Sequence, residues 1–348
     1  LIFNPDEAPR VEDIPVLADF TGELAEHING NWRLLALFAV GQGRGELYAV
    51  LAGDGQFCAF RSESVAEFDS IARLCPQAQL FEREIYENSG IMPRHHPWLK
   101  SVRIIPDAPG KSRNADYGFY RVQGGQAHEV GVGPIHAGII EPGHFRFQCY
   151  GENVLNLEIA LGYQHRGVER MLLELPAAST ANHLRLRLVE CVAGDESVAN
   201  ATAQCVLWER MFGLGALDEH TQRMRRIGLE LERLACHCGD LGAIAGDTGY
   251  LPTSSWNGRI RGDFLNMTAA ICGNRFGREF VHPGGVDNDL DQEQCGMLLE
   301  KLASCGRDAL ASSEAMFESA SVRDRMEGTG IIDTALALEL GLVGVAAR

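Results

Sequence analysis

The hydrophobic pattern of this chain changes its period near Val168, and that change limits the folds that the following part of the chain can adopt. Between residues 145 and 150 apolar and polar side chains alternate, with Phe145, Phe147 and Cys149 on one side. A Gly-Glu-Asn turn signal follows, and the alternation resumes over 155–161. These two segments predict a half-buried β-hairpin. From Val168 onward the spacing of apolar residues is helical instead.

One helical stripe is especially clear, with apolar residues at steps of +4, +3, +4 and +3. Its members are Ile227, Leu231, Leu234, Cys238 and Leu241. This spacing places them on one face of a helix, which Gly242 and Gly246 are predicted to end. Segments 177–212 and 289–317 also have helical patterns. We therefore predict an α+β chain in which a small antiparallel sheet leads into a mostly α-helical bundle.

The first hundred residues predict a separate α+β domain. Strands are expected over 34–40, 47–51 and 56–61, with a Gly-Asp-Gly turn before the last. Segments 65–75 and 81–87 have helical spacing. Residues 104–132 are rich in Pro and Gly and predict a linker or extended crossing segment. The predicted organisation is thus a domain over 1–103, a linker over 104–132 and a second domain over 133–348.

The charge balance restricts the partners. The 348-residue chain has 47 acidic and 31 basic residues, a formal net charge of −16. Nucleic-acid binding needs clustered positive charge and is not expected, whereas docking onto a basic protein stays open. No apolar run reaches the length of about 18 residues that a membrane span needs, and no secretory leader is visible. A start at Leu1 suggests a partial chain.

Ten cysteines occur, and no two are spaced as C-x-x-C. Several lie in apolar runs, which predicts buried reduced thiols rather than a disulfide framework, a zinc site or an iron–sulfur site. Cys236-His237-Cys238 suggests a metal site, but residues i and i+2 of a helix point to different faces. Because Cys238 also belongs to the apolar stripe, a core position is the favoured interpretation.

The segment 133–145 is the richest in candidate chemistry. It combines His136, Glu141 and His144 in a loop of Gly and Pro that enters a predicted strand, and sites are often built on such loops. A buried Glu beside a His can have a raised pKa that suits proton transfer. The alternative is a tight turn in which Glu141 binds backbone amides.

Two further segments carry polar groups next to apolar ones. His165 and Arg166 lie where a predicted strand passes into a helix. They could orient a cofactor or an anionic group, or form a helix-entry network with Glu169. Asp195 and Glu196 are adjacent carboxylates in an apolar helical pattern. An Asp there is either an N-cap or a paired buried acid.

Taken in order, these segments resemble a known pair of subunits. Residues 81–86 read FEREIY and are followed by His96-Pro97, which resembles the 30-kDa subunit of respiratory complex I. Residues 133–136, 141–145, 165–169 and 282–286 resemble motifs of the 49-kDa subunit and of the large subunits of membrane-bound, energy-converting [NiFe] hydrogenases. Segments 261–263 and 274–277 strengthen this resemblance. Both modules in one chain resemble the formate hydrogenlyase and hydrogenase-4 type of large subunit.

The departures from the family pattern decide what the resemblance implies. In [NiFe] hydrogenases a C-G-x-C-x-x-x-H motif supplies two thiolates, and the matching residues here are Ala193, Glu196 and Asn200. Cys191 lies nearby but out of register. The family's second pair, D-P-C-x-x-C, belongs beyond Arg348. A Ni–Fe centre needs soft thiolate ligands, so we predict no nickel and no metal ligand in this chain.

The quinone site of the 49-kDa subunit also matches imperfectly. The His of its G-P-x-H-x-x-x-H loop falls near Ile140 or Pro142, and its quinone-binding Tyr falls near Leu186. Glu141 instead resembles the Glu before Gly-His that serves proton transfer in hydrogenases. The chain thus has a hydrogenase-like loop without hydrogenase-like thiolates, which leaves the electron acceptor open.

The resemblance implies a peripheral subunit on the cytoplasmic side of a complex I-like or hydrogenase-4-like membrane oxidoreductase. It would bind no cofactor alone, and would line a quinone-type cavity beside a [4Fe–4S] cluster in a partner iron–sulfur subunit. Antiporter-like membrane subunits would be further partners. The residues assigned to proton transfer are Glu141, His144 and Asp195, and those assigned to cofactor binding are His136, His165 and Arg166. Two alternatives remain open: an active [NiFe] hydrogenase large subunit and a non-catalytic scaffold.

Overall fold

The chain forms two compact units, each containing its own core. A computed structural model describes residues 1–4, 9–103, 118–136, 141–176 and 182–344. The first unit is Leu1–His165 with Ile331–Arg348, and the second is Arg166–Gly330. Strands and helices are both present, and the second unit is mostly helical, which confirms the α+β prediction. The predicted domain boundaries at residues 103 and 132 were drawn from sequence motifs, whereas the two units are defined by compactness. The boundaries therefore stay a prediction.

The first unit is built on antiparallel hairpins. Its elements are β1 (Ile2–Phe3), β2 (Val16–Leu17), α1 (Phe20–Asn29), β3 (Arg33–Gln42), β4 (Arg44–Gly53), β5 (Gln56–Ser62), β6 (Glu67–Asp69), α2 (Ala78–Ser89), β7 (Met92–Arg94), β8 (Ala127–Val132), β9 (His144–Tyr150) and β10 (Asn153–Ala160). The main sheet has the order β1-β5-β4-β3, and β2 pairs with β5. Asp54 and Gly55 have positive φ, as the tight turn between β4 and β5 requires. The three predicted strands are confirmed.

The core of this unit lies between the main sheet and α1 and α2. Leu47 and Leu51 of β4 are completely buried, and Phe60 and Ile85 are nearly so. The short helix predicted over 81–87 is confirmed as part of α2. The helix predicted over 65–75 is wrong. Residues 67–69 form β6, which pairs in parallel with β7, and no other part of the segment is helical. Pairing with a distant strand therefore overrides the local helical spacing.

Strand β8 corrects the linker prediction. Residues 127–132 fall inside the predicted linker, but they pair antiparallel with β9 over their whole length. The sheet order is β10-β9-β8, so the predicted hairpin of β9 and β10 is confirmed and has a third strand. The earlier part of the predicted linker, 104–117, lies outside the described residues.

The faces of this three-stranded sheet are used in an unexpected way. Val132, Phe145 and Ile159 form one cross-strand row, and Ile159 is 47% exposed. On the opposite face Glu158 is buried, ion-paired with Lys100, and its Oε2 accepts the Tyr120 N–H at 2.7 Å. The hairpin therefore buries Glu158, which has partners, and leaves Ile159 accessible, whereas the alternation predicts the opposite for these two residues; Cys149, on the apolar side of β9, is buried as predicted.

The second unit is a helical layer with one small hairpin. Its elements are α3 (Val168–Glu174), α4 (Asn182–Glu190), α5 (Ser197–Phe212), α6 (Glu219–Asp247), α7 (Leu251–Cys272), β11 (Val281–His282), β12 (Gly285–Val286), α8 (Gln292–Glu318) and α9 (Ala320–Met326); a further helix, α10 (Thr334–Glu339), belongs to the first unit. The helix predicted over 289–317 is confirmed. The one predicted over 177–212 is divided into α4 and α5 by residues 191–196.

The predicted apolar stripe forms much of the second core. Leu231 and Cys238 of α6 are buried with Phe264 of α7 and Phe280, whereas Ile227 is 39% exposed at the margin. The helix continues past Gly242 and ends at Asp247, so of the two glycines predicted to mark its end only Gly246 lies there. An added Cβ at Gly242 would lie 3.4 Å from the Ser254 carbonyl oxygen of α7. This is an ordinary van der Waals distance, so α7 packs directly against α6 at this position.

Candidate functional site

The hairpin loop before β9 is closed by contacts at its base. The Gly143 N–H donates to the Pro134 carbonyl oxygen at 3.1 Å. His136 Nε2 lies 2.6 Å from the Gly143 carbonyl oxygen, and its ring packs edge-on against Phe145 at 5.2 Å between centroids. His136 therefore fixes the backbone beside His144, and this contact gives it a structural role in the loop.

Glu141 and His144 lie on either side of that closure. Glu141 is exposed, and among the described residues none donates a hydrogen bond to its carboxylate. The buried environment expected for a proton-transfer glutamate is thus not found, and neither is the capping turn within the described part of the loop. His144 begins β9 opposite Ala160, is half-buried, and its ring packs edge-on with Phe119 at 6.4 Å.

His165 and Arg166 fall at the end of the first unit and the start of the second. Both side chains are exposed. The His165 N–H donates to the Gly162 carbonyl oxygen in a turn. Arg166 donates from its guanidinium to the Val192 carbonyl oxygen at 2.6 Å. This hydrogen bond ties the entry of α3 to the backbone of the α4–α5 connection.

The α4–α5 connection, residues 191–196, is where the second unit gathers candidate polar groups; we refer to it as the Asp195 loop. Asp195 is exposed, and its carboxylate lies 3.5 Å from the Arg261 guanidinium of α7. Cys236 of α6 donates from Sγ to the Asp195 carbonyl oxygen at 3.7 Å. Asp195 is thus neither a buried acid nor the N-cap residue of α5, which is Glu196; it is an accessible carboxylate beside a cation.

Buried carboxylates hold both ends of this loop. Glu232 of α6 accepts the N–H groups of Val198 and Ala199 at 2.7 and 3.0 Å. Glu190, at the end of α4, accepts the Glu279 N–H at 2.7 Å, and its carbonyl oxygen accepts the Ser197 hydroxyl at 3.0 Å. Burial raises the pKa of both acids, and the carboxylates of Glu196 and Asp195 add to this effect at Glu232.

A second buried pair supports the β11–β12 hairpin. Arg225 of α6 and Glu209 of α5 are joined by two hydrogen bonds of 2.7 and 3.2 Å. Glu209 also accepts the Gly284 N–H at 2.7 Å, and Arg225 donates to the His282 carbonyl oxygen at 2.8 Å. Burial alone would raise the Glu209 pKa, but the hydrogen bonds from Arg225 and Gly284 outweigh it and hold the pKa below its ordinary value.

The cysteines are consistent with a reduced core. All ten are free thiols. Cys238 is buried, which confirms its predicted core position, and burial raises the pKa of Cys236 to about 11. Cys236 is therefore a neutral thiol donor at physiological pH. Within the part of the chain that the structure describes, no group of three His, Cys, Asp or Glu side chains could hold a metal ion.

Two residues of this site were not singled out from the sequence as site residues. They are Glu232, one turn before Cys236 on α6, and Arg261, which reaches the same loop from α7; Cys236 was considered only as part of a metal site. A carboxylate on a helix with an otherwise clear apolar stripe was the available signal for Glu232. Its partners are backbone amides 33 and 34 residues away, and no spacing rule predicts such contacts.

Two family models match separate parts of the chain. The 30-kDa subunit of the respiratory-chain NADH dehydrogenase matches residues 54–117, and the 49-kDa subunit of the same enzyme matches residues 247–348. Each model covers less than half of the chain, so the chain is similar to the two subunits over separate stretches. The order of the two matches is the one that the sequence motifs predict.

Proteins similar to this chain include hydrogenase components and NADH-quinone oxidoreductase subunits. The membrane-bound hydrogenase subunit alpha of Pyrococcus furiosus is 28% identical over 63% of this chain and 50% of its own length. Hydrogenase-4 component G of Escherichia coli is 27% identical over 79% of this chain and 52% of its own length. An NADH-quinone oxidoreductase subunit of Phocaeicola vulgatus is 24% identical, over 81% and 59% respectively. The chain spans about half the length of the first two.

A solved structure shares the fold. It is that of the membrane-bound sulfane sulfur reductase, an archaeal respiratory membrane complex. The likeness has a TM-score of 0.56 at 20% identity and covers 62% of this chain and 56% of the other. Among the described residues, no helix is both long and apolar enough to cross a membrane.

Sequence resemblance alone aligns the Asp195 loop with the hydrogenase thiolate motif, and on that alignment the donor set of the loop does not fit a Ni–Fe group. Ala193 has no donor atom, and Glu196 presents an exposed carboxylate in place of a thiolate. Asn200 stands at the His position. Hard oxygen donors and an alanine do not supply the soft ligands that such a centre needs.

Proposed function

We propose that this chain is a redox-cavity subunit of a membrane-associated complex I-like or hydrogenase-4-like oxidoreductase. A quinone-type acceptor would receive electrons from a [4Fe–4S] cluster held by a partner subunit. Reduction of a quinone to a quinol takes up two electrons and two protons. The chain would contribute position, hydrogen bonds and proton delivery, and no Ni–Fe centre of its own.

One observation carries this proposal. At the position where hydrogenases have a metal-binding loop, this chain has Asp195 held beside Arg261, with Ala193 and Glu196 at the thiolate positions. A guanidinium can orient an accessible carboxylate, which can then hydrogen-bond to a polar acceptor and relay a proton to it. The names of the relatives, which include NADH-quinone oxidoreductase subunits, support the choice of a quinone.

Glu141 and His144 are proposed as a second proton route. Their loop lies in the first unit, and the exposure of Glu141 makes it able to exchange protons with solvent. The experiment is to replace Glu141 with Gln and, separately, Asp195 with Asn in the assembled complex. Quinone-dependent turnover should fall in both variants. Unchanged turnover in the Glu141→Gln variant would remove its proposed role without affecting that of Asp195.

An active [NiFe] hydrogenase is the second candidate, and the names of two relatives favour it. The Pyrococcus furiosus and Escherichia coli proteins are hydrogenase components. This candidate requires nickel in the assembled complex and hydrogen-dependent reduction of a dye. The absence of thiolates from positions 193 and 196 argues against it.

A further inference from the structure

The N-terminus of α5 receives its cap from another helix. Its N-cap residue, Glu196, makes no side-chain capping bond, so the first N–H groups of α5 need another acceptor. Glu232 of α6 supplies it through both carboxylate oxygens, one to Val198 and one to Ala199. The negative charge also lies where the helix dipole favours it.

Three positions on one face of α6 meet the Asp195 loop. Residues 232, 236 and 239 are spaced i, i+4 and i+7, which places them in a row along the helix. Glu232 binds the start of α5, and Cys236 binds the Asp195 carbonyl oxygen. At Gly239 an added Cβ would lie 3.2 Å from Cδ of Arg261, so the missing side chain leaves the space that Arg261 crosses on its way to Asp195.

Glu232 is buried, so its carboxylate depends on the hydrogen bonds that it accepts from residues 198 and 199. The residue is 8% exposed, and no basic side chain is paired with it among the described ion pairs. A buried carboxylate is costly unless hydrogen bonds satisfy it. The two backbone N–H groups satisfy the Glu232 carboxylate only while residues 198 and 199 keep their present position. The buried charge of Glu232 and the geometry of the loop therefore depend on each other.

We propose that Glu232 is a positioning residue that fixes the Asp195 loop and thereby places the Asp195 carboxylate for proton transfer. This inference rests on the proposed function of Asp195. Glu232 is bonded to the backbone at residues 198 and 199, and it acts through the loop rather than on the acceptor itself. Cys236 and Gly239 assist it from the same face of α6.

The test uses the assembled complex with Glu232→Ala and Glu232→Gln, and Glu230→Gln as the matched control. Glu230 is an exposed acid on the same helix, paired only with Arg233 among the described contacts. Amide hydrogen exchange of Val198 and Ala199 is measured by mass spectrometry. We expect about tenfold faster exchange in Glu232→Ala, the size of a lost helix cap. Glu232→Gln should show a smaller increase because its amide oxygen can still accept one N–H.

The second readout is steady-state kinetics with dithionite-reduced methyl viologen as donor and a short-chain ubiquinone as acceptor. A misplaced Asp195 should lower kcat about tenfold in Glu232→Ala and less in Glu232→Gln, with KM changed by less than about twofold. Glu230→Gln should match the parent in both readouts. Partial rescue by Gln is the signature of positioning through hydrogen bonds. If Glu232→Ala does not assemble, Glu232→Gln and its control decide alone.

Unchanged exchange at Val198 and Ala199 would overturn the proposal, as would an equal effect of Glu230→Gln. Faster exchange with unaltered kcat, in a complex that Asp195→Asn inactivates, would also overturn it. If Asp195→Asn leaves turnover unchanged, the proposed function of Asp195 is wrong. Amide hydrogen exchange then tests whether Glu232 holds the loop. Faster exchange at Val198 and Ala199 supports that role, and unchanged exchange contradicts it.

Discussion

The Asp195 carboxylate lies 3.5 Å from the guanidinium of Arg261, and Gly239 leaves the space in which that arginine side chain runs. Both members of the pair are partly exposed, with 49% of the Asp195 side chain and 33% of the Arg261 side chain accessible. Such a pair contributes little to stability. Its importance would therefore be in the site, where the guanidinium orients the carboxylate.

Replacing Gly239 with Leu should separate this pair. The new side chain would occupy the space of the Arg261 stem, so Asp195 would lose its oriented cation. We expect kcat for ubiquinone reduction by the assembled complex to fall about tenfold. Gly258→Ala is the control, because an added Cβ at Gly258 has no atom within 4 Å. Equal kinetics in the two variants would show that the pair has no role in turnover.

The buried Glu209–Arg225 pair should be important for stability. Replacing Arg225 with Met leaves a buried carboxylate without its cation, which costs about 3–5 kcal/mol. Urea-induced unfolding of the chain measures this loss. Arg223→Met, which removes a pair with Glu219 that is largely exposed, should cost less than about 1 kcal/mol. Similar losses in both variants would contradict the account of Arg225.

Glu82 should make the stability of the first unit depend on pH. It is completely buried on α2, and burial raises its pKa to about 6, although hydrogen bonds from the Ser70 hydroxyl and the Ile71 N–H act in the opposite direction. The ordinary pKa of an unfolded glutamate is 4.5. An acid with a raised pKa contributes stability below pH 4.5 that is lost as the pH rises through about 6. The loss amounts to about 2 kcal/mol.

His96 opposes this trend in part. Its Nδ1 accepts the Trp98 N–H, so Nε2 carries the proton and faces the Gln79 carbonyl oxygen. Burial lowers the His96 pKa, so His96 disfavours the folded state at low pH and this cost disappears as the pH rises. Comparing urea unfolding of the parent and Glu82→Gln from pH 4 to 7 measures the Glu82 contribution together with its interaction with His96, whose Nε2 lies 3.8 Å from the carboxylate. The free energy of unfolding of the variant should rise by about 2 kcal/mol relative to that of the parent across that range. A difference that stays constant with pH would contradict the prediction. Glu63→Gln, at an exposed position, should show no such gain.

Sequence patterns predicted those elements whose stabilising contacts are local. The hairpin of β4 and β5 follows from its Gly-Asp-Gly turn, and the stripe through Leu231 and Cys238 follows from helical spacing. The break at residues 191–196 could not be predicted in this way. It depends on Glu232, whose partners are far along the chain. The same is true of β6, which exists because it pairs with β7.

The candidate site was predicted in outline and not in detail. Asp195 and Arg166 were both chosen from the sequence, and the structure brings Arg166 to the backbone of the Asp195 loop. The burial expected for Glu141 and Asp195 is not found, because both side chains are exposed. The exposure of a loop side chain depends on which other elements cover the loop. The order of residues within the loop does not determine which elements these are.

The central claim is that this chain serves a redox complex without a Ni–Fe centre of its own. Metal analysis of the purified assembled complex, by inductively coupled plasma mass spectrometry, tests it most directly. Because Ala193 and Glu196 lie where the family resemblance would put two thiolates, the account predicts iron from the partner's cluster and no nickel above background. One nickel atom per copy of this chain would contradict the account and identify a [NiFe] hydrogenase instead.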